Sequence, residues 1–124
     1  MLISRQIEWA REAQMKLPED SAIAKTKLHE YLLRHRDEDD KSGFLALAGY
    51  TLNNAERLMH DIRTQLLPLD AEFFDWTQYG PKYRIRGTLT GPNGRVLRVV
   101  SIWMKEDATG ETKLLHYFPI SYEV

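Results

Sequence analysis

Four histidines, His29, His35, His60 and His116, carry the proton-transfer chemistry open to this sequence. Imidazole is the side chain whose ordinary pKa lies nearest neutrality, so it exchanges a proton there most readily. His29 and His60 fall off the apolar faces of their helical segments, which suits surface positions. His35 ends an apolar face and is followed six positions later by Lys41, and His116 sits in an extended stretch between Leu114 and Phe118. Taken singly, each is more often a hydrogen-bonded structural residue than a catalytic one.

The second chemical feature is cationic. Lys82, Arg84, Arg86, Arg95, Arg98 and Lys105 fall between Tyr79 and Lys105 with no Asp or Glu among them, in a chain of 124 residues with formal net charge -1. Such a field attracts polyanions, and phosphate contacts supply most non-specific nucleic-acid affinity. A small phosphorylated or acidic ligand would use the same arginines. Cations on exposed strands also serve simply to prevent edge pairing.

Several chemistries are excluded or disfavoured. With no cysteine there is no disulfide framework, zinc-thiolate site or thiol nucleophile. No pair of histidines has zinc-helix spacing, and the nucleophile elbow, the phosphate-binding P-loop and the dinucleotide glycine fingerprint are all missing. The acids from Asp37 to Asp40 lack the alternation, mid-loop Gly and closing Glu of a calcium loop, so they read as a solvated loop. No metal or cofactor is expected. The N-terminus carries charge early and has no long apolar run, so neither a signal peptide nor a membrane span is expected, and the chain reads as cytoplasmic.

These residues need a scaffold to hold them. Hydrophobic content of 43% and charged content of 28% suit one globular domain over residues 1–124, with no repeat or linker. Residues Leu2 to Lys16 have helix-forming composition, stopped before Pro18. A second helix, capped by Asp20 or Ser21, buries Ala24, Leu28, Tyr31 and Leu32. Lys41 to Ala48 reads as a short helix with Gly49 as its stop. Asn53 and Glu56 have capping-box spacing ahead of a helix that buries Ala55, Leu58, Met59, Ile62 and Leu66 and ends at Pro68.

Four strands follow. Residues Ala71 to Gln78 form the first. Tyr83, Ile85 and Leu89 alternate with Arg84, Arg86 and Thr88 in the second, and Gly91-Pro92-Asn93-Gly94 turns the chain into a third from Arg95 to Glu106. Asp107 to Gly110 turns it again, into Thr112 to about Ile120. Helices followed by strands indicate an α+β domain, with helices (about residues 2–67) packed on one face of a four-stranded antiparallel β-meander (about 71–120). The other face is then open to RNA, to a partner protein or to a second copy in a homodimer.

Lys27-Leu28-x-x-Tyr31-Leu32-Leu33, His35 with Lys41, Phe44, Gly49-Tyr50, Tyr79-Gly80-x-x-Tyr83, the Gly91 to Gly94 turn, Ser101-Ile102-Trp103 and Phe118-Pro119 follow one another in this order. Together, over about Lys25 to Pro119, they resemble a domain-of-unknown-function family of small bacterial proteins and toxin C-terminal modules. Its layout is similar to that of the barnase, EndoU and RelE type ribonuclease toxins. The resemblance implies a metal-independent ribonuclease-like toxin of a toxin–antitoxin or polymorphic-toxin system, with a small antitoxin or immunity protein as partner. The alternative is a non-catalytic module that binds protein or nucleic acid.

On the ribonuclease reading, His35 and His116 are the acid and base in undetermined order, and Lys41, Arg84, Arg86 and Arg98 hold phosphate. Tyr83 and Trp103 would stack on bases if they faced the groove, core packing being the commoner role for both. The sequence departs from the family pattern twice. Arg36 to Asp40 replace an expected Pro and Gly and set an anionic cluster beside the site. His116 replaces a small hydroxylated residue, supplying a proton-transfer group or marking a site that has been lost.

Overall fold

A computed structural model describes residues 14–33 and 41–121. In chain order the elements are β1 (Gln14–Lys16), α1 (Lys25–Leu33), α2 (Lys41–Ala46), a 3-10 turn (Leu52–Asn54), α3 (Ala55–Asp61) continued by a π turn (Ile62–Leu66), β2 (Asp70–Thr77), β3 (Gly80–Thr90), β4 (Val96–Lys105) and β5 (Thr112–Ser121). The sheet has five antiparallel strands in sequence order, one more than the periodicity indicates. The extra strand falls at the end of the stretch expected to be the first helix. Met15 pairs with Ala71, and three residues are too few for alternation to announce a strand. The rest of that expected helix, and the acidic loop after His35, lie outside the described residues.

The second helix begins at Lys25 rather than beside Ser21, because Ala22 is taken by the sheet. Its N–H donates to Thr112 and its carbonyl accepts from Leu114, a parallel bridge on the outer edge of β5. Lys16 on β1 and Ala22 therefore lie on opposite edges. Six residues reach at most about 20 Å, whereas five strand-to-strand steps of about 4.8 Å would separate the two by about 24 Å in a flat sheet. The sheet must therefore curl. A turn in which Pro18 accepts from the Ser21 N–H (3.1 Å) and hydroxyl (2.7 Å) shortens the strap further.

Leu17 and Ile23 of this strap are buried in one core with Leu28, Leu45, Leu58, Ile62 and Leu66 from the helices and with Ile85, Leu89, Leu97, Val99, Trp103, Leu114 and Tyr117 from the sheet. The helices thus lie on one face, inside the curl. Trp103, with no exposed surface, finds its polar partner on its own strand: the indole Nε1 donates to Ser101 Oγ at 2.9 Å. An indole N–H left unpaired at that depth would be costly, so Ser101 belongs to the core by hydrogen bonding.

The cap before α3 also differs from expectation. Thr51 and Asn54 form a capping box on the 3-10 turn that leads into α3, in place of the expected Asn53 and Glu56: Thr51 Oγ1 accepts from the Asn53 N–H at 3.2 Å, and Asn54 Oδ1 accepts from the Thr51 N–H at 2.8 Å. The β3–β4 turn holds one left-handed residue, Gly94 (φ +87), with Asn93 in ordinary backbone space rather than the two such positions expected of Asn-Gly. Asn93 instead anchors the hairpin to the end of α2, its N–H and Nδ2 donating to the carbonyls of Ala48 (3.2 Å) and Leu47 (3.0 Å).

Candidate nucleic-acid interface

Residues opposite one another in an antiparallel ladder share a face. Tyr83, Ile85 and Leu89 point into the core, so the residues between them point away from it. Arg84 lies opposite Ile102, which lies opposite His116; Arg86 lies opposite Val100, and Arg98 opposite Thr88. Arg84, Arg86, Arg98 and His116 thus occupy the face away from the helices. Arg86 and Arg98 are diagonal neighbours, a separation of about 7 Å that one phosphate group can bridge. Ile102 and Met104, buried but outside the helix-side core, give this face a small apolar floor.

His116 reaches this face because of a bulge. Leu114 opposes Trp103 and His116 opposes Ile102, leaving Leu115 as the extra residue. Strict alternation from buried Leu114 would have turned His116 inward; the extra residue turns it out. Bulges re-aim side chains in this way and are over-represented beside active sites. Lys27 of α1 holds this one, its Nζ donating to the Leu115 carbonyl at 2.7 Å.

The register also corrects the charge pattern seen along the chain. Glu72 on β2 lies opposite Arg84 and takes its Nε at 2.9 Å, with Arg86 Nε at 3.8 Å. Lys16 pairs with Asp70 at 3.0 Å on the same face. The uninterrupted cationic run of β3 and β4 is therefore flanked by an acidic β2. Among the described residues, Arg98 and Lys82 make no ion pair. Arg84 also stacks over Phe74, the extra residue of a bulge in β2, with Cζ 5.5 Å from the ring centroid.

Of the other residues assigned from the sequence, His35 lies outside the described residues, and Lys41 opens α2 on the helical side. Tyr83 and Trp103 do not face the groove: both are buried against the helices, which removes them as stacking platforms. Exposed aromatics occur instead at Phe74, Trp76 (70% exposed) and Tyr79. Glu72, Phe74 and Lys27 were not legible as site residues, because each acts through a partner far away in sequence.

A second polar cluster, on the helical side, ties helix to hairpin. The Tyr50 hydroxyl donates to Asp61 Oδ2 at 2.6 Å and lies 3.3 Å from the Thr90 carbonyl; Arg57 Nε donates to the same carboxylate oxygen at 2.9 Å. Burial, and then the Asp61 carboxylate, push the Tyr50 pKa well above its ordinary value. Gln65 closes the end of β3, accepting from the Thr90 N–H at 2.7 Å and donating to its carbonyl at 3.1 Å. These groups satisfy one another and point at no ligand.

Among the described residues no helix is long and apolar enough to cross a membrane, and no three His, Asp or Glu residues are grouped to hold a metal ion. No curated protein and no solved structure gives a significant match to the chain. Residues 16–121 match the family model described as a domain of unknown function, DUF6883. That span runs from β1 to the end of β5 and takes in both the helices and the cationic face, so the chain belongs to the DUF6883 family.

Proposed function

We propose that this protein binds single-stranded RNA on the sheet face away from its helices and cleaves it without a metal. The observation that carries the reading is the row Arg84–Ile102–His116, with Arg86 one row and Arg98 two rows further along the same face. A proton-transfer group and phosphate-binding cations are what transesterification of RNA requires. A base removes the proton of the 2′-hydroxyl and its oxygen attacks the adjacent phosphorus. The bond to the 5′-oxygen breaks, that oxygen takes a proton from an acid, and a 2′,3′-cyclic phosphate is left. Cations facing the phosphate stabilise the charge that builds in the transition state. His116 takes one proton-transfer role and His35 is assigned the other.

The toxin setting, with a small antitoxin or immunity protein as partner, belongs to the same proposal. Its test is expression of the chain alone with analysis of cellular RNA. The expected result is slowed growth and RNA fragments bearing 2′,3′-cyclic phosphate ends. Vigorous growth with intact RNA would count against it.

A protein-binding module is the second reading, and the outer edge of β2 favours it. β1 pairs only with Asp70 to Glu72, so residues 73–77, paired with β3 on their inner side, have no strand partner on their outer side among the described residues, next to exposed Phe74, Trp76 and Tyr79. Strand addition uses such an edge. Recovery of a stoichiometric protein partner that is lost on Trp76→Ala, with no RNA binding, would favour this reading.

A further inference from the structure

Lys27 is placed unlike the other cations of the chain. It lies on α1 and is half-buried, and its ammonium donates to the carbonyl of Leu115, 88 positions away. Among the described residues no carboxylate lies within ion-pairing distance of it, and Glu30, one turn further along the helix, makes no ion pair with it. An ammonium has three donors, and a neutral carbonyl uses one of them. A cation drawn partly out of water without a counter-charge is unfavourable, so such a position calls for an anion.

The carbonyl it meets is also particular. Leu115 is the extra residue of the β5 bulge, the residue that turns His116 onto the cationic face. Consecutive Cα atoms lie about 3.8 Å apart, so Lys27 Nζ is bonded to the peptide that leads directly into His116. The one tie thus fixes the bulge and sets a positive charge at the peptide bond that joins Leu115 to the histidine, on the edge of the sheet. This is the β5 side of the sheet, across β3 and β4 from the acids of β2, and phosphate approaching here does not meet Glu72 or Asp70.

We propose that Lys27 and His116 form a phosphate site at the α1–β5 junction, in which Lys27 Nζ keeps its bond to Leu115 and gives a second N–H to a phosphate oxygen. The assignment of that phosphate to an RNA backbone rests on the RNA reading above; the site itself takes a phosphodiester or free inorganic phosphate. Lys27 would then stand where charge accumulates on the phosphorus oxygens, with His116 beside it to carry a proton.

The test is an amide NMR titration of the full chain with inorganic phosphate, then with a short single-stranded RNA. It compares wild type with Lys27→Gln, which keeps a donor for Leu115 but no charge, and with Lys27→Arg, which keeps the charge. Saturable shifts at Leu115 and His116 are expected in wild type and Lys27→Arg, and at least tenfold weaker binding in Lys27→Gln. Phosphate that moves no wild-type signal at the bulge overturns the site, as does equal affinity in Lys27→Gln. Phosphate shifts at the bulge with no response to RNA would leave the site standing and remove the RNA reading. RNA shifts confined to Arg86 and Arg98 would do the reverse.

Discussion

Arg84 and Glu72, twelve positions apart in sequence, face each other across β2 and β3 with 2.9 Å between Nε and Oε1. Glu72 thus neutralises Arg84 most directly and lies 3.8 Å from Arg86, while Arg98, on the same face away from the helices, makes no ion pair among the described residues. Arg86→Ala and Arg98→Ala should each weaken RNA binding several-fold and lower the salt dependence by about one counterion. Arg84→Ala should change it less, and Glu72→Gln should strengthen it. Fluorescence anisotropy of a labelled RNA at several salt concentrations checks all four.

The Tyr50–Asp61 bond should make the fold sensitive to alkali. Because the folded-state pKa of Tyr50 is raised, its contribution to stability is complete below the unfolded value of about 10 and is lost as pH rises from there. Tyr50→Phe leaves Asp61 buried with Arg57 alone and should cost about 1–3 kcal/mol at neutral pH. The deficit relative to wild type should shrink above pH of about 10. Urea unfolding of both proteins across that range measures it.

Gly91 and Gly94 sit in one turn for different reasons. A Cβ on Gly91 would run into the Ala48 carbonyl and side chain, where the hairpin docks on the end of α2. A Cβ on Gly94 meets nothing, but its φ of +87 is one that other residues adopt only with strain. Gly94→Ala should therefore cost about 1–2 kcal/mol, and Gly91→Ala about 3 kcal/mol, with loss of the Asn93 contacts. Thermal unfolding ranks the two, and the reverse order would show that the hairpin tip does not dock.

Ser101→Ala should be disproportionately costly for the removal of one oxygen. It strands the Trp103 indole N–H in a fully buried site, a loss of about 1–3 kcal/mol. An unchanged midpoint in denaturant would mean that the indole has another acceptor.

The α+β class, the antiparallel sheet and the β3–β4 hairpin were legible because local signals carry them. Tyr83, Ile85 and Leu89 alternate with charged residues, and Gly94 marks the turn. The features that shape the site depend on register, which alternation does not reveal. His116 lies two residues after Leu114 and should share its face; the Leu115 bulge reverses that, and its stabilising contact comes from Lys27. Glu72 reads as an ordinary strand acid until it is found opposite Arg84. β1 was hidden by its brevity, in a stretch whose composition favours helix. The same curl that brings Ala22 to β5 shortened the expected second helix.

Cleavage of single-stranded RNA by the purified protein in EDTA, beside His116→Ala and a DNA strand of the same sequence, tests the proposed activity most directly. Wild type should cut the RNA and spare the DNA, which lacks the attacking 2′-hydroxyl, and His116→Ala should be slower by a factor on the order of 10²–10⁴. No cleavage by the wild type, or equal rates for the two proteins, would contradict it.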